Sequence, residues 1–233
     1  MKTVIFLPIY NEKENIRPLV SEILKLIPDL YILAVDDSSD DGTAQLLDEI
    51  AKGEQRLRVV HRTGKRGRGI SGIEGFKRAL IEKPDYIIEM DADFSHDPKY
   101  IPVFLREIED CDVVIGSRTV KGGGVFKRAY LRNYISAFAQ FFSRMVLGLK
   151  ISDATSGFRC FRRRVLESLD WGAMISRGPA IVEEMNYRIQ KKGFKIKEVP
   201  IVFGPRKSGR SKLNFLKLAA VFYTLIRIRM SDA

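Results

Sequence analysis

Tyr86-Ile87-Ile88-Glu89-Met90-Asp91-Ala92-Asp93-Phe94-Ser95-His96-Asp97-Pro98 is the stretch on which the reading of this chain turns. An apolar run of strand character breaks directly into two carboxylates one residue apart. Mg²⁺ or Mn²⁺ is commonly held by one or two protein carboxylates, with the remaining positions left to water and a substrate diphosphate. Asp91-x-Asp93 at a strand end therefore reads as a metal-diphosphate clamp. Taken alone Asp-x-Asp is a weak signal that reads first as an acidic turn between strand and helix, and the metal reading rests on the remainder of the chain.

Working outward, short β-rich runs alternate with helical patterns, the signature of a mostly parallel sheet. Val4–Leu7, Tyr31–Val35, Leu57–Val60 and Tyr86–Glu89 read as strands, and Glu14–Leu26, Ala44–Lys52 and Ile70–Glu82 as the helices between them. Shorter strands follow at Val113–Gly116, Gly157–Phe161 and Phe194–Pro200. The first half is a doubly wound α/β layout, in which ligands sit beyond the carboxyl ends of the strands. The polar clusters fall there: Pro8 to Glu12, Asp36 to Thr43, and the Asp91 segment. Asp36 to Thr43 also reads as a turn with Ser39 or Thr43 capping the next helix. Jointly, Tyr10 offers an aromatic face, Asp37 an acceptor for a base or ribose, and Asp93 a metal ligand, which together outline a nucleotide-sugar pocket.

With 233 residues, 45% of them hydrophobic, the chain can bury one sizeable core. Its formal charge of +11 calls for an anionic partner: nucleic acid, acidic lipid headgroups or phosphorylated substrates. Basic residues alternate with acidic loops and no nucleic-acid-binding motif is present, so no nucleic-acid partner is expected. Cys111 and Cys160 form no close-spaced metal pattern and, with no signal-like start, read as free thiols in a reducing compartment.

Pro8-x-Tyr10-Asn11-Glu12, Val35-Asp36-Asp37-Ser38-Ser39-x-Asp41-Gly42-Thr43, Asp91-x-Asp93, Gly116-Ser117-Arg118 and Ser156-Gly157-Phe158-Arg159 resemble the family 2 glycosyltransferases of GT-A fold. Asp91 to Pro98 and Phe203-x-x-Arg206-x-x-Gly209-Arg-Ser211-Lys212 are most similar to the polyprenol-phosphate (dolichol-phosphate) mannose synthases. The resemblance implies a metal-dependent, inverting transfer of mannose from GDP-mannose to a polyprenyl (dolichyl) monophosphate, giving polyprenyl-phosphate mannose and GDP. A polyprenyl-phosphate glucosyltransferase using UDP-glucose is the close competitor. By the same resemblance Pro8, Tyr10, Glu12, Val35 and Asp37 surround the guanosine, and Asp91, Ala92 and Asp93 meet the metal and diphosphate, with Ser95 in a third metal-side position. Arg118, Arg132 and Ser136 face the acceptor phosphate, and Arg206 and Lys212 close over the donor. Arg118 joins Asp91 and Asp93 as a catalytic residue. Where relatives often show Gly-Lys-x-Gly-Leu-Gly, this chain has Gly64-Lys65-Arg66-Gly67-Arg68-Gly69, so Arg68 is expected at the surface or against lipid headgroups. Glu183 and Glu184 are expected to orient the sugar or to form an exposed helix face, and His61 and His96 to sit at the surface or in caps.

Residues 1–212 are expected to form the catalytic domain, and 213–233 an amphipathic helix lying on a membrane surface or docking a separate membrane subunit. Leu213 to Met230 is interrupted by Asn214, Lys217, Arg227 and Arg229, too polar for a span of about 20 apolar residues. The polar end Ser231-Asp232-Ala233 carries the expectation of no further transmembrane helices. Phe126 to Lys150 mixes Tyr130, Tyr134, Phe138, Phe141, Phe142 and Met145 with Lys127, Arg128, Arg132 and Arg144, which suits either a core helix or one in the bilayer interface. Just before it, Lys121-Gly122-Gly123-Gly124 reads as a flexible acceptor loop. The expected location is peripheral, on the cytoplasmic face of a membrane.

A different class, a dinucleotide-dependent oxidoreductase, is suggested by Gly67-x-Gly69-x-x-Gly72 between a strand and a helix, with Glu89 ending the next strand. Against it, the motif follows the third strand rather than the first, and it leaves Pro8 to Glu12 and Asp91-x-Asp93 without a purpose.

Overall fold

A computed structural model describes residues 1–126, 130–205 and 215–231, and within the helices leaves the side chains of 130–133 and 215–217 undescribed. The elements run β1 (Thr3–Ile9), α1 (Lys13–Leu26), β2 (Leu30–Asp36), α2 (Thr43–Gly53), β3 (Leu57–His61), α3 (Arg68–Ile81), β4 (Tyr86–Glu89), α4 (Ile101–Glu107), β5 (Val113–Ser117), β6 (Gly124–Val125), α5 (Tyr130–Leu147), β7 (Arg159–Arg162), α6 (Arg163–Glu167), α7 (Ile181–Lys191), β8 (Ile196–Pro200), β9 (Val202–Phe203) and α8 (Phe215–Met230).

Seven strands form one sheet in the order β3-β2-β1-β4-β7-β5-β8. Only β7 runs against its neighbours, pairing antiparallel with both β4 and β5. The period-two side-chain alternation of a strand sorts the sheet's apolar residues into two cores. Val4, Phe6, Leu33, Val35, Ile87 and Phe161 join the α3, α7 and α8 side. Ile5, Leu7, Ile32, Ala34, Ile88 and Cys160 join the α1, α2 and α4 side. Burial on both faces is what makes these strands read as nearly unbroken hydrophobic runs.

The helix on the first side sits unusually close to the sheet at Gly75, where an added Cβ would lie 2.1 Å from a ring carbon of Phe6. α5 and α8 pack together through Phe142 and Phe222, whose ring centroids are 4.6 Å apart. Val221, Leu225 and Ile228 tie α8 into the first core. Among the described residues no helix is long and apolar enough to cross a membrane.

The predicted acceptor loop takes a different form from the flexible one expected of its glycines. β6 pairs with β9, and Gly124 and Phe126 donate to Ile201 and Phe203 carbonyls at 3.0 and 2.9 Å. Gly123 is required for contact, because a Cβ there would come within 2.5 Å of the Ser117 carbonyl.

Candidate active site

The carboxyl ends of β1, β2 and β4 open into a cleft of about 920 Å³. Its walls include Pro8, Tyr10 and Glu12 after β1, Asp37 after β2, and Asp91, Ala92 and Asp93 after β4. The start of α3, the 175–180 segment and Ala220, Val221 and Thr224 of α8 complete it. Three of the four positive-φ non-glycine residues among the described residues lie in these strand-end loops: Asn11, Ser38 and Phe94, with φ of 55°, 60° and 64°, the fourth being Lys83 before β4. Non-glycine residues persist in that region only where surrounding bonds hold them, and such residues gather at functional sites.

Those bonds are on view. The loops after β1 and β2 are stitched together by Ser39 Oγ, which accepts the Asn11 N–H at 2.9 Å, and Thr43 Oγ1, which accepts the Glu12 N–H at 3.0 Å. Neither caps α2 as the turn reading expected. Asp41 instead accepts the Thr43 N–H at 3.0 Å. Asp37 accepts from Arg62, and from the Gly67 N–H at 2.9 Å, which fixes the start of α3 against the end of β2. Arg66 lies 4.8 Å over the Tyr10 ring and donates to its hydroxyl.

The first two glycines of Gly67-x-Gly69-x-x-Gly72 serve packing. Cβ atoms at Gly67 and Gly69 would come within 2.6 and 2.8 Å of the Arg177 and Ser176 carbonyls. This contact between the α3 start and the 176–178 loop accounts for the motif without a dinucleotide.

Around the two acids the burial is deep. Asp93 is 2% exposed, and its Oδ1 accepts from the Ser95 N–H at 3.0 Å and hydroxyl at 2.5 Å. Ser95 is itself fully buried and orients Asp93 from behind. Asp91, 35% exposed at its side chain, faces the cleft, and its N–H donates to His96 Nδ1 at 2.9 Å. His96 therefore corrects the surface or capping expectation: it is 2% exposed and stacked 4.9 Å from Phe158. Burial pushes its pKa down, and accepting at Nδ1 places the ring proton on Nε2. Gly204 donates to the Ser95 carbonyl at 2.9 Å, so the segment leading to residue 206 leaves from beside this loop.

Arg68 also corrects its expectation. It lies in the cleft wall, with Nη2 2.8 Å from Glu89 Oε1 and 3.5 Å from Asp91 Oδ1. Glu89, 1% exposed, pairs in turn with fully buried Arg159 at 2.5 Å. Burial works to raise the Glu89 pKa, but the two guanidiniums hold it below its ordinary value.

Not every predicted residue reaches the cleft. Val35 is sealed in the first core. Arg118 forks onto Asp153, with Nε and Nη2 at 2.7 and 2.6 Å from its two oxygens, and lies 5.4 Å from the Phe203 ring. Ser136 sits partly buried on α5. The side chain of Arg132, also on α5, and all of Arg206 and Lys212 lie outside the described residues. Glu183 and Glu184 form no exposed face, being 5% and 0% exposed. Glu184 accepts from Ile175, Ser176 and Arg188.

A Rossmann-like half-sheet extended by an antiparallel strand, with an acidic pair at the mouth of a large cleft, defines a GT-A glycosyltransferase. The Glycosyl transferase family 2 model matches residues 4–170, and the chain belongs to that family. It is 39% identical over 215 residues to polyprenol monophosphomannose synthase of Mycolicibacterium smegmatis, covering 91% of this chain and 81% of that protein. To undecaprenyl-phosphate mannosyltransferase of Micrococcus luteus it is 36% identical over 214 residues, covering 92% and 88%. In fold it is similar to glucosyl-3-phosphoglycerate synthase of Mycobacterium tuberculosis in complex with phosphoglyceric acid, with TM-score 0.68 over 99% of this chain and 79% of that one, at 18% identity. The same enzyme with Mn²⁺, uridine diphosphate and glucosyl-3-phosphoglycerate gives TM-score 0.67 with the same coverage, at 19% identity.

Proposed function

We propose that this glycosyltransferase moves mannose from GDP-mannose to a polyprenyl monophosphate at a membrane surface, with inversion at the anomeric carbon. The observation that carries the reading is that Asp91 and Asp93 share one cleft with Pro8, Tyr10, Glu12 and Asp37. The names of the two mannosyl-transferring relatives supply the sugar and the lipid class.

The donor set suits Mg²⁺ or Mn²⁺, since both acids offer hard oxygens, Asp91 toward the cleft and Asp93 oriented by Ser95. Such an ion would neutralise charge building on the departing diphosphate. Ser95 keeps its third metal-side position, where its hydroxyl donates to Asp93 and so orients that carboxylate. Tyr10, backed by Arg66, offers a face for the base, and Asp37, with two protein donors, retains acceptor capacity for a ribose or base N–H. The acceptor phosphate, with a second pKa of roughly 6, is already mostly dianionic near neutral pH. No general base is needed. A phosphate oxygen bonds to the anomeric carbon as the bond from that carbon to the diphosphate oxygen breaks, and GDP leaves. Arg132 and Ser136 are assigned to the acceptor phosphate and Arg206 and Lys212 to the donor, and Arg118 would have to release Asp153 to join the acceptor set. Phe138, Phe141 and Met145 on α5, 55%, 62% and 60% exposed, and Tyr223 and Met230 on α8, 64% and 71% exposed, form the face for lipid.

The test is incubation with Mn²⁺, a short prenyl phosphate and either GDP-mannose or UDP-glucose, with the lipid product read by mass spectrometry. Mannosylated lipid from GDP-mannose, lost in Asp93→Ala, is expected. Transfer from UDP-glucose alone, or full turnover in Asp93→Ala or in excess chelator, would overturn the donor or the metal assignment respectively.

A further inference from the structure

Arg68 stands where the family resemblance leads one to expect an aliphatic residue, and its course is built rather than accidental. An added Cβ at Gly157 would lie 3.3 Å from its Nη2, a tight approach that the glycine avoids. Nη2 reaches Glu89 Oε1 at 2.8 Å and Asp91 Oδ1 at 3.5 Å. Yet Glu89 already has a full counter-charge, since Arg159 meets its other oxygen through both Nη2 and Nε, at 2.5 and 3.2 Å. Arg68 is thus a second cation on Glu89, and the same Nη2 lies within ion-pair distance of Asp91. The fit of Arg68 is also incomplete, because its buried Nη1 finds no hydrogen-bond acceptor among the described residues.

We propose that Arg68 is a positioning residue that acts as a resident cation for Asp91, competing with the divalent ion and setting the metal concentration at which the site fills. This rests on the metal assignment made above. In the absence of metal the guanidinium holds Asp91 in place beside Asp93. On metal entry the Asp91 carboxylate must release or share it, at the cost of a 3.5 Å ion-pair contact and of like-charge repulsion across a few ångströms. A chain with an aliphatic residue at this position bears neither cost, so the guanidinium tunes affinity downward while keeping the carboxylate ordered.

The test is direct Mn²⁺ titration, read by electron paramagnetic resonance in the presence of GDP, on the full chain and on Arg68→Leu, Arg68→Lys and Asp93→Ala. Arg68→Leu is expected to tighten Mn²⁺ by about tenfold, and Arg68→Lys, which keeps a charge, by clearly less. Glu89 keeps Arg159 in both variants, and a mere loss of packing would weaken Mn²⁺ rather than tighten it. Unchanged or weaker Mn²⁺ binding in Arg68→Leu, with binding still lost in Asp93→Ala, overturns the competition while leaving the metal assignment standing. Mn²⁺ binding that is the same in Asp93→Ala as in the parent chain overturns both.

Discussion

Glu183 contributes to the pH dependence of stability in a way that a single substitution can isolate. It sits in the first turn of α7, 5% exposed, with Arg159 and Arg118 near enough to favour its charged form and Asp153 opposing it. Burial outweighs the two guanidiniums and pushes the carboxyl from 4.5 up to about 7. In the unfolded chain the same group ionises near its ordinary value, so between those limits the folded state holds a proton that the unfolded state has released. Stability from this group is therefore fully present below about 4.5 and is lost as pH rises through about 7. At about 1.4 kcal/mol per pH unit, the loss across that window comes to roughly 3 kcal/mol. Glu183→Gln stays neutral throughout and does not incur it. Urea unfolding of both proteins at pH 5 and pH 8 checks this, because every other titrating group cancels in the difference. The stability difference between variant and parent should move in favour of Gln by roughly 2 to 3 kcal/mol between those two pH values. An equal difference at both pH values would show that Glu183 is charged in the fold and would refute the reasoning.

Two further outcomes follow from packing and exposure. Gly75→Ala would place a methyl within 2.1 to 2.9 Å of three Phe6 ring atoms, and that ring is fully buried and pinned edge-on to Phe76 at 5.1 Å. Overpacking should outweigh the helix propensity gained and lower stability by about 1 to 2 kcal/mol, and an unchanged or raised urea midpoint would count against so tight a contact. Replacing Phe138 and Phe141 together with Asp should reduce partition onto anionic liposomes by more than about tenfold, since each exposed ring contributes about 1.5 to 3 kcal/mol when buried in lipid. Sedimentation with liposomes that is indifferent to the double change would place the lipid face elsewhere.

The parts of the fold that were legible share one physical property, which is that their evidence is local. β1, β2 and β4 are buried on both faces, so each reads as an apolar run, and the polar clusters that end them mark the cleft before any contact is known. The placing of β7 between β4 and β5 was not legible, because it depends on pairing between residues far apart in the chain, such as Glu89 with Arg159. The errors about individual residues have the same origin. Polar and charged groups are ordinarily solvated, which is why a surface place is one of the alternatives expected for Arg68, His96, Glu183 and Glu184. Each is instead buried or half-buried: Arg68 meets Glu89 and His96 stacks on Phe158, both distant in sequence, while Glu184 is satisfied nearby by Ile175, Ser176 and Arg188. Arg159 and Glu89 meet across 70 residues of sequence, Arg118 and Asp153 across 35. A signal was available in Glu89, the last residue of a strand whose other members are apolar. A carboxylate so placed requires a buried cation, and the arginines of Ser-Gly-Phe-Arg159 and of the glycine-rich turn were the candidates at hand. That requirement makes the departure at Arg68 informative, because a second guanidinium beside Glu89 also lies 3.5 Å from Asp91, one of the two acids assigned above to the metal.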